Sequence, residues 1–202
     1  MRALFTLWML LTNTPVVQAV AIFDFQVLSG RRVVNLEGRA QSQDMRGKGQ
    51  GSSMSLATHW NIDPNIPVAI GASTARESIY FSHVNSKSSD VLYGYSFKAE
   101  VYTWFPLQSF APYARFSSLI SSQYERLKTH TYQPNRTSYG PYSNTWSEKG
   151  HSLGLGCAFT LAPSVGALLE WQKSFHSFLQ SNQNEKIALN SQNLRAGIEI
   201  GL

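Results

Sequence analysis

Alternation constrains this chain more than any other feature. From Leu194, the even positions Leu194, Ala196, Ile198, Ile200 and Leu202 face one way, and the odd positions Arg195, Gly197, Glu199 and Gly201 the other. A period of two places successive side chains on opposite faces of a strand, so one face is apolar and the other polar. The pattern recurs. Leu153, Leu155, Cys157, Phe159 and Leu161 alternate with Gly154, Gly156, Ala158 and Thr160. Val165 to Leu179 sets Val165, Ala167, Leu169, Trp171 and Phe175 against Gly166, Glu170, Gln172, Ser174 and His176. Val91 to Phe105 sets Tyr93, Tyr95, Phe97, Ala99 and Val101 against Gly94, Ser96, Lys98, Glu100 and Tyr102. Phe23 to Val34, Met54 to Ile62, Val68 to Tyr80 and Pro112 to Tyr124 are compatible with the same rule. The expectation is eight strands.

The connections alternate as well. Asn61 to Pro67, Pro106 to Phe110 and Ala162 to Ser164 are short and carry proline. Glu37 to Ser52, Ser82 to Asp90, Glu125 to Gly150 and Gln180 to Ala188 are longer and polar. In an up-and-down barrel, short turns then gather at one end and long loops at the other, with both termini at the short-turn end.

Composition identifies the solvent only once the faces are separated. Of the 202 residues, 43% are hydrophobic and only 14% charged, and the mean hydropathy is −0.21. That average excludes a polytopic helical membrane protein, and the aromatic content of 12% argues against a disordered chain. A single cysteine excludes a disulfide scaffold and a zinc ribbon. The polar strand face is rich in Gly, Ser and Ala and poor in charge for a surface in water. It suits the crowded interior of a small barrel whose apolar face meets lipid. Strands of about ten residues are long enough to cross a bilayer at a tilt. The expected fold is all-β: an eight-stranded antiparallel up-and-down transmembrane β-barrel. A secreted soluble barrel is the alternative.

The first segment stands apart. Arg2, the apolar run Ala3 to Leu11, the break at Pro15 and the small residues Ala19-Val20-Ala21 read as a secretory signal peptide. Residues 1–21 are therefore expected to be removed and 22–202 to form one barrel domain. Cleavage takes Arg2 and lowers the formal charge from +5 to +4. That charge is small and scattered, so nucleic acid is not an expected partner.

The whole mature chain resembles the eight-stranded outer-membrane β-barrels of Gram-negative bacteria, the OmpA/OmpX-like type. The resemblance rests on the signal peptide, eight alternating strands, short turns set against long loops, and an amphipathic last strand. It implies a bacterial outer-membrane location, contact with outer-membrane lipid and lipopolysaccharide, and handling by the barrel-assembly machinery during biogenesis. The family usually closes its last strand on phenylalanine, whereas this chain ends on Leu202.

Parity sorts the charges. The inward set is Arg32, Glu77, Lys98, Glu100, Arg115, Glu170, Arg195 and Glu199, four bases and four acids. Buried charges need partners, so this set is expected to close the lumen as a salt-bridged plug. A charged pore is the competing reading. His59 and His176 also point inward. Outward charges within the strands are few: Arg31, Arg76 and Lys173, each eight residues above the lower end of its strand. At about 2.5 Å of height per residue they stand about 20 Å up, the level of lipopolysaccharide phosphates in an outer membrane. Snorkelling at the rim would place them there too. Aromatics fall at two levels, with Phe23, Trp60, Phe105, Phe110 and Phe159 near the short turns and Tyr80, Tyr93, Tyr95 and Phe175 toward the loops. Cys157 belongs to the outward apolar face.

No cofactor or metal motif is present, and Gly154-Leu155-Gly156 lies inside a strand, where glycine makes room for lumen neighbours. No histidine has serine two positions on, and His151-Ser152 and His176-Ser177 face opposite ways, so hydrolase chemistry is not expected. Outer-membrane lipid A-modifying enzymes remain the enzymatic alternative. The segment Glu125 to Gly150 carries Tyr132, Tyr139, Tyr142 and Trp146 among polar residues, a composition suited to adaptable surface contact with a ligand that the sequence does not identify.

Overall fold

The computed structural model describes residues 23–40, 43–63, 65–83, 89–105, 107, 110–129, 139–140, 145–180 and 186–201. Residues 1–21, expected to be a signal peptide, and Leu202 lie outside them. The strands are β1 Phe23–Ala40, β2 Gln43–Asp63, β3 Ile66–His83, β4 Ser89–Trp104, β5 Phe110–Thr129, β6 Tyr139–Gly140, β7 Thr145–Ala162, β8 Val165–Gln180 and β9 Lys186–Gly201. Eight are long. The two-residue β6 pairs only with the upper end of β5, at Lys128↔Gly140 and Thr129↔Tyr139.

Every long strand pairs antiparallel with its neighbours in the order β4-β3-β2-β1-β9-β8-β7-β5, and β4 pairs with β5 to close the sheet. Closure removes both sheet edges, so the long strands find their backbone partners within the sheet, as a hydrocarbon environment requires. The first and last strands meet along Asp24↔Gly201 to Gly38↔Ile187. A row of partners starting at Ala114 passes through Leu155, Trp171, Leu194, Arg31, Ser52, Ser78 and Tyr93. It returns to β5 at Glu125. That stagger tilts the strands and fixes a narrow barrel.

Short connections gather at one end, as the alternation of connection lengths predicts. Asn65 N–H donates to Asp63 Oδ1 at 2.8 Å, an Asx-type turn that joins β2 to β3. Phe105 N–H donates to Pro112 O at 2.9 Å, and Leu107 N–H to Phe110 O at 3.1 Å, between β4 and β5.

The opposite end differs from the sequence expectation. The segments read as long loops are in large part strand. The β1–β2 ladder continues without a break to Ala40↔Gln43, β3–β4 runs to Ser82↔Ser89, and β8–β9 runs to Leu179↔Lys186. The reason lies in polarity. In the lower barrel, apolar residues face out and polar ones face in. Outward side chains become mostly polar from Arg31, Ser52, Arg76, Tyr93, Ser118, His151, Lys173 and Gln192 upward, with Val33, Ile120 and Phe175 as exposed apolar exceptions. Above that level Asn35, Lys48, Gln50 and Asn190 face outward and are exposed, while Val34, Ile79 and Leu189 face inward with no exposed surface. This is the polarity of a barrel in water. Where both faces of a strand mix polar and small residues, as in Gly49-Gln50-Gly51-Ser52, no period-two signal marks the strand.

Between the short turns and the polar level runs a continuous apolar band. It includes Phe105 and Leu161, exposed by 65% and 66%, with Leu56, Ile70, Val101 and Ile198. On β8 it extends from Val165 to Lys173, a height of about 20 Å for a tilted strand. Phe23 stands opposite Trp60 and Phe110 opposite Phe159, which builds the lower aromatic belt. Tyr80, Tyr95 and Phe175 are exposed toward the upper margin.

Candidate functional site

The inward residues form two groups of ion pairs. In the upper group, Arg32 of β1 pairs with Glu77 of β3, and Lys98 Nζ of β4 lies 3.5 Å from Glu77 Oε1. Arg32 Nε–H donates to Ser191 Oγ at 2.8 Å, and its Nη2 stands 3.5 Å from His176 Nδ1. In the lower group, Glu170 of β8 is the hub. Arg195 of β9 pairs with its Oε1. Arg115 Nε of β5 lies 3.0 Å from its Oε2, an ion contact without hydrogen-bond alignment. Tyr113 donates its hydroxyl to Glu170 Oε2 at 3.1 Å. Arg115 also donates from Nη1 to Glu100 Oε2 at 2.9 Å and from Nη2 to Gln26. Arg115 is 1% exposed and Glu170 is wholly buried. Glu199 differs in bonding to an amide, accepting a hydrogen bond from Gln26 Nε2 at 3.2 Å.

Asp24, His59 and Ser73 extend the lower group further. Asp24 accepts a hydrogen bond from His59 Nδ1 at 2.8 Å, His59 Nε2 stands 3.0 Å from Glu100 Oε2, and Ser73 donates to Glu100 Oε1 at 2.6 Å. The signal for Asp24 is its parity, since it shares the inward face of β1 with Gln26 and Arg32. Below and around this group Leu28, Ala69, Tyr102, Tyr113 and Leu168 form a buried apolar cluster. Tyr102 stacks on His59 with ring centroids 5.1 Å apart and packs against Tyr113 at 4.9 Å.

Glycine gives these side chains their room. A Cβ placed on Gly154 would lie 2.6 Å from Glu170 Oε1 and 2.8 Å from its Cδ, and Glu170 is held from three sides. At Gly166 the same Cβ would meet Phe159 O at 3.5 Å and Glu199 Cβ at 3.7 Å, ordinary contacts. Gly154→Val is therefore expected to destabilise the barrel by about 1–3 kcal/mol through overpacking, and Gly166→Ala to change it little. Urea unfolding in lipid vesicles measures both, and equal effects would contradict this assignment.

The outer rim is a second arrangement. Arg31 and Arg76 are exposed and Lys173 is half-buried. The Arg76 guanidinium lies 4.8 Å from the Tyr93 ring centroid, and the Tyr93 and Tyr95 hydroxyls are 3.3 Å apart. Ser52 and Ser78 place their hydroxyls 3.0 Å apart on the same face. Lys173 Nζ lies 5.2 Å over the Phe175 ring. His151, not singled out from sequence for this rim, stands between Phe116 and Phe175 at centroid distances of 6.2 and 6.4 Å. Lys48 and Lys149 are exposed above it. Cation–π contacts of this kind hold a charge over a ring while leaving it open to an anion. Tyr132 and Tyr142 lie outside the described residues. Tyr139 and Trp146 have described backbone only, in β6 and β7, with Trp146 opposite Gln180.

No protein-family model matches the sequence, and no curated protein matches it either. The fold has solved counterparts. It is that of the eight-stranded outer-membrane β-barrels: a closed antiparallel barrel, apolar outside and charge-paired within. The chain is similar to Neisserial surface protein A, at 14% identity over 88% of this chain and 97% of that one, with a TM-score of 0.53. It is similar to the outer membrane protein OprG of Pseudomonas aeruginosa, at 12% identity over 90% and 97%, TM-score 0.51. A major outer membrane protein of Thermus thermophilus aligns at 12% identity over 89% and 99%, TM-score 0.51. At these identities the likeness is one of fold.

Proposed function

We propose that this chain is an integral outer-membrane barrel with a sealed polar lumen, serving envelope structure or surface interaction from its upper end. The observation that carries the reading is the pairing of a continuous apolar outer band with an interior whose cations are neutralised by carboxylates and packed against buried side chains. A barrel filled in this way holds its shape and leaves no room for a solute. The proposed role is non-enzymatic, which His59 supports: both its ring nitrogens face carboxylates, so neither is free to activate a nucleophile. Fractionation tests the location. The mature chain is expected in the outer membrane, with faster gel migration before heating than after. Complete extraction by carbonate would overturn the proposal.

The rim supports lipopolysaccharide as the lipid partner. Arg31, Arg76 and Lys173 mark the upper margin of the apolar band, and His151 joins them, with aromatic rings beneath Arg76 and Lys173. Phosphates at that level would meet cations held in place by rings. Replacing Arg31, Arg76 and Lys173 together by Gln is expected to reduce lipopolysaccharide co-purification several-fold without loss of folding. Unchanged retention would leave these cations as snorkelling residues. The barrel-assembly machinery is the proposed partner in biogenesis, with the amphipathic β9 as the strand it engages. The aromatic segment containing Tyr132, Tyr139, Tyr142 and Trp146 is proposed to meet a surface ligand.

A further inference from the structure

We infer that the lower lumen is a proton-binding site in which His59 is held as an imidazolium between Asp24 and Glu100. Hydrogen-bond stoichiometry requires an extra proton there. Nδ1 lies 2.8 Å from Asp24 Oδ1 and Nε2 3.0 Å from Glu100 Oε2. A neutral imidazole has one donor and one acceptor, and an ionised carboxylate only accepts. Two ionised carboxylates can both be satisfied only by a ring that donates from both nitrogens.

The proton belongs on the ring rather than on a carboxyl group. Glu100 Oε2 also accepts from Arg115 Nη1 at 2.9 Å, and Oε1 accepts from Ser73 at 2.6 Å. Two donors, one of them the charged Arg115 guanidinium, favour the ionised form of Glu100, so the shared proton sits on the ring. Charge counting agrees. In the cluster around His59, Asp24 and Glu100 face one cation, Arg115, while Glu170 is matched by Arg195. An imidazolium at His59 makes that cluster neutral. A buried net charge is expensive in a narrow barrel surrounded by lipid.

The surroundings hold the ring in place. Tyr102 of β4 stacks on it at 5.1 Å. Gly71 of β3 leaves it space, since a Cβ there would lie 2.6 Å from His59 Cδ2. The other charged groups around it are Arg115 of β5, which shares Glu100, and Glu199 of β9, on the register step above Asp24. His59 itself is buried, but the Asp24 side chain is 13% exposed at the short-turn end. Asp24 is thus the route by which the proton enters and leaves, from the side that would be periplasmic.

Nitrogen NMR of histidine-labelled mature chain in detergent micelles tests this, with the His59 signals assigned by their loss in His59→Gln. At pH 8 a free imidazole is largely neutral. The His59 ring is nevertheless expected to carry protons on both nitrogens. In Asp24→Asn the carboxylates and cations balance without it, so the ring should become singly protonated, with Nε2–H on Glu100 and Nδ1 accepting from the new amide. A singly protonated ring in the unmodified chain would overturn the inference, and so would a doubly protonated ring in Asp24→Asn. If Asp24→Asn fails to assemble, the spectrum of the unmodified chain decides alone.

Discussion

Glu170→Ala is expected to cost about 3–5 kcal/mol of stability, and so to abolish the compact, fast-migrating form on unheated gels. The carboxylate sits on β8 with Arg195 on one oxygen and both Arg115 and Tyr113 on the other. Removing it leaves two guanidinium groups in a space closed to water. Arg115 keeps Glu100 and Gln26. Among the described residues, Arg195 keeps Ser55 alone, at 3.3 Å. Most of the loss thus comes from an uncompensated charge at Arg195, not from absent attraction. A second substitution separates the two causes. Glu170→Met combined with Arg195→Met removes the hub and its most dependent cation together, and apolar replacement of a buried pair is often near neutral. The double variant is expected to regain most of the stability and the compact gel form. Equal damage in the single and double variants would mean that the network acts through shape and packing rather than charge.

Which partners meet in this network is the part that the sequence conceals. Period two tells that Arg32, Glu77 and Lys98 stand on the polar face of their strands. It does not tell that a base on β1 reaches an acid on β3 and, through it, a lysine on β4. That depends on the stagger of the closed sheet, which the registers supply. Asp24 has the correct parity but sits one residue from the start of its strand, where a turn reading competes. His151 enters the sequence reading only as a histidine whose neighbour Ser152 faces the other way, although its outward position beside Phe116 and Phe175 follows from the same alternation as Leu153. The strand extensions above the rim are hidden for a different reason. There the polarity of the two faces inverts, and the Gly- and Ser-rich stretch around Gly51 has no strong contrast to read. The fold class needed only the lower half of each strand, where contrast between lipid-facing and lumen-facing residues is greatest.

That contrast leads to the second large effect. Leu169→Arg is expected to destabilise the barrel by about 2–4 kcal/mol, and Val33→Arg by about 1 kcal/mol or less. Both native side chains face outward and are about half exposed, 48% and 56%, so surface area alone predicts the same outcome for both. Their levels differ. Leu169 lies midway along β8 between Val165 at the lower turn and Lys173 at the rim, flanked on neighbouring strands by Cys157 and Ala196. Val33 lies above Arg31 on β1, flanked by Gln50 and Gln192. If the apolar band is immersed in hydrocarbon, a guanidinium at Leu169 must be desolvated or must thin the bilayer to reach water, whereas one at Val33 is already in water. If the barrel is soluble, both substitutions replace an exposed apolar side chain with a charge on a wet surface, and each should fall within about 0.5 kcal/mol of zero. Urea unfolding of the two variants in vesicles of one lipid composition measures the difference directly. A ratio near one would remove the apolar band from the bilayer and with it the reading of this chain as a membrane-spanning barrel.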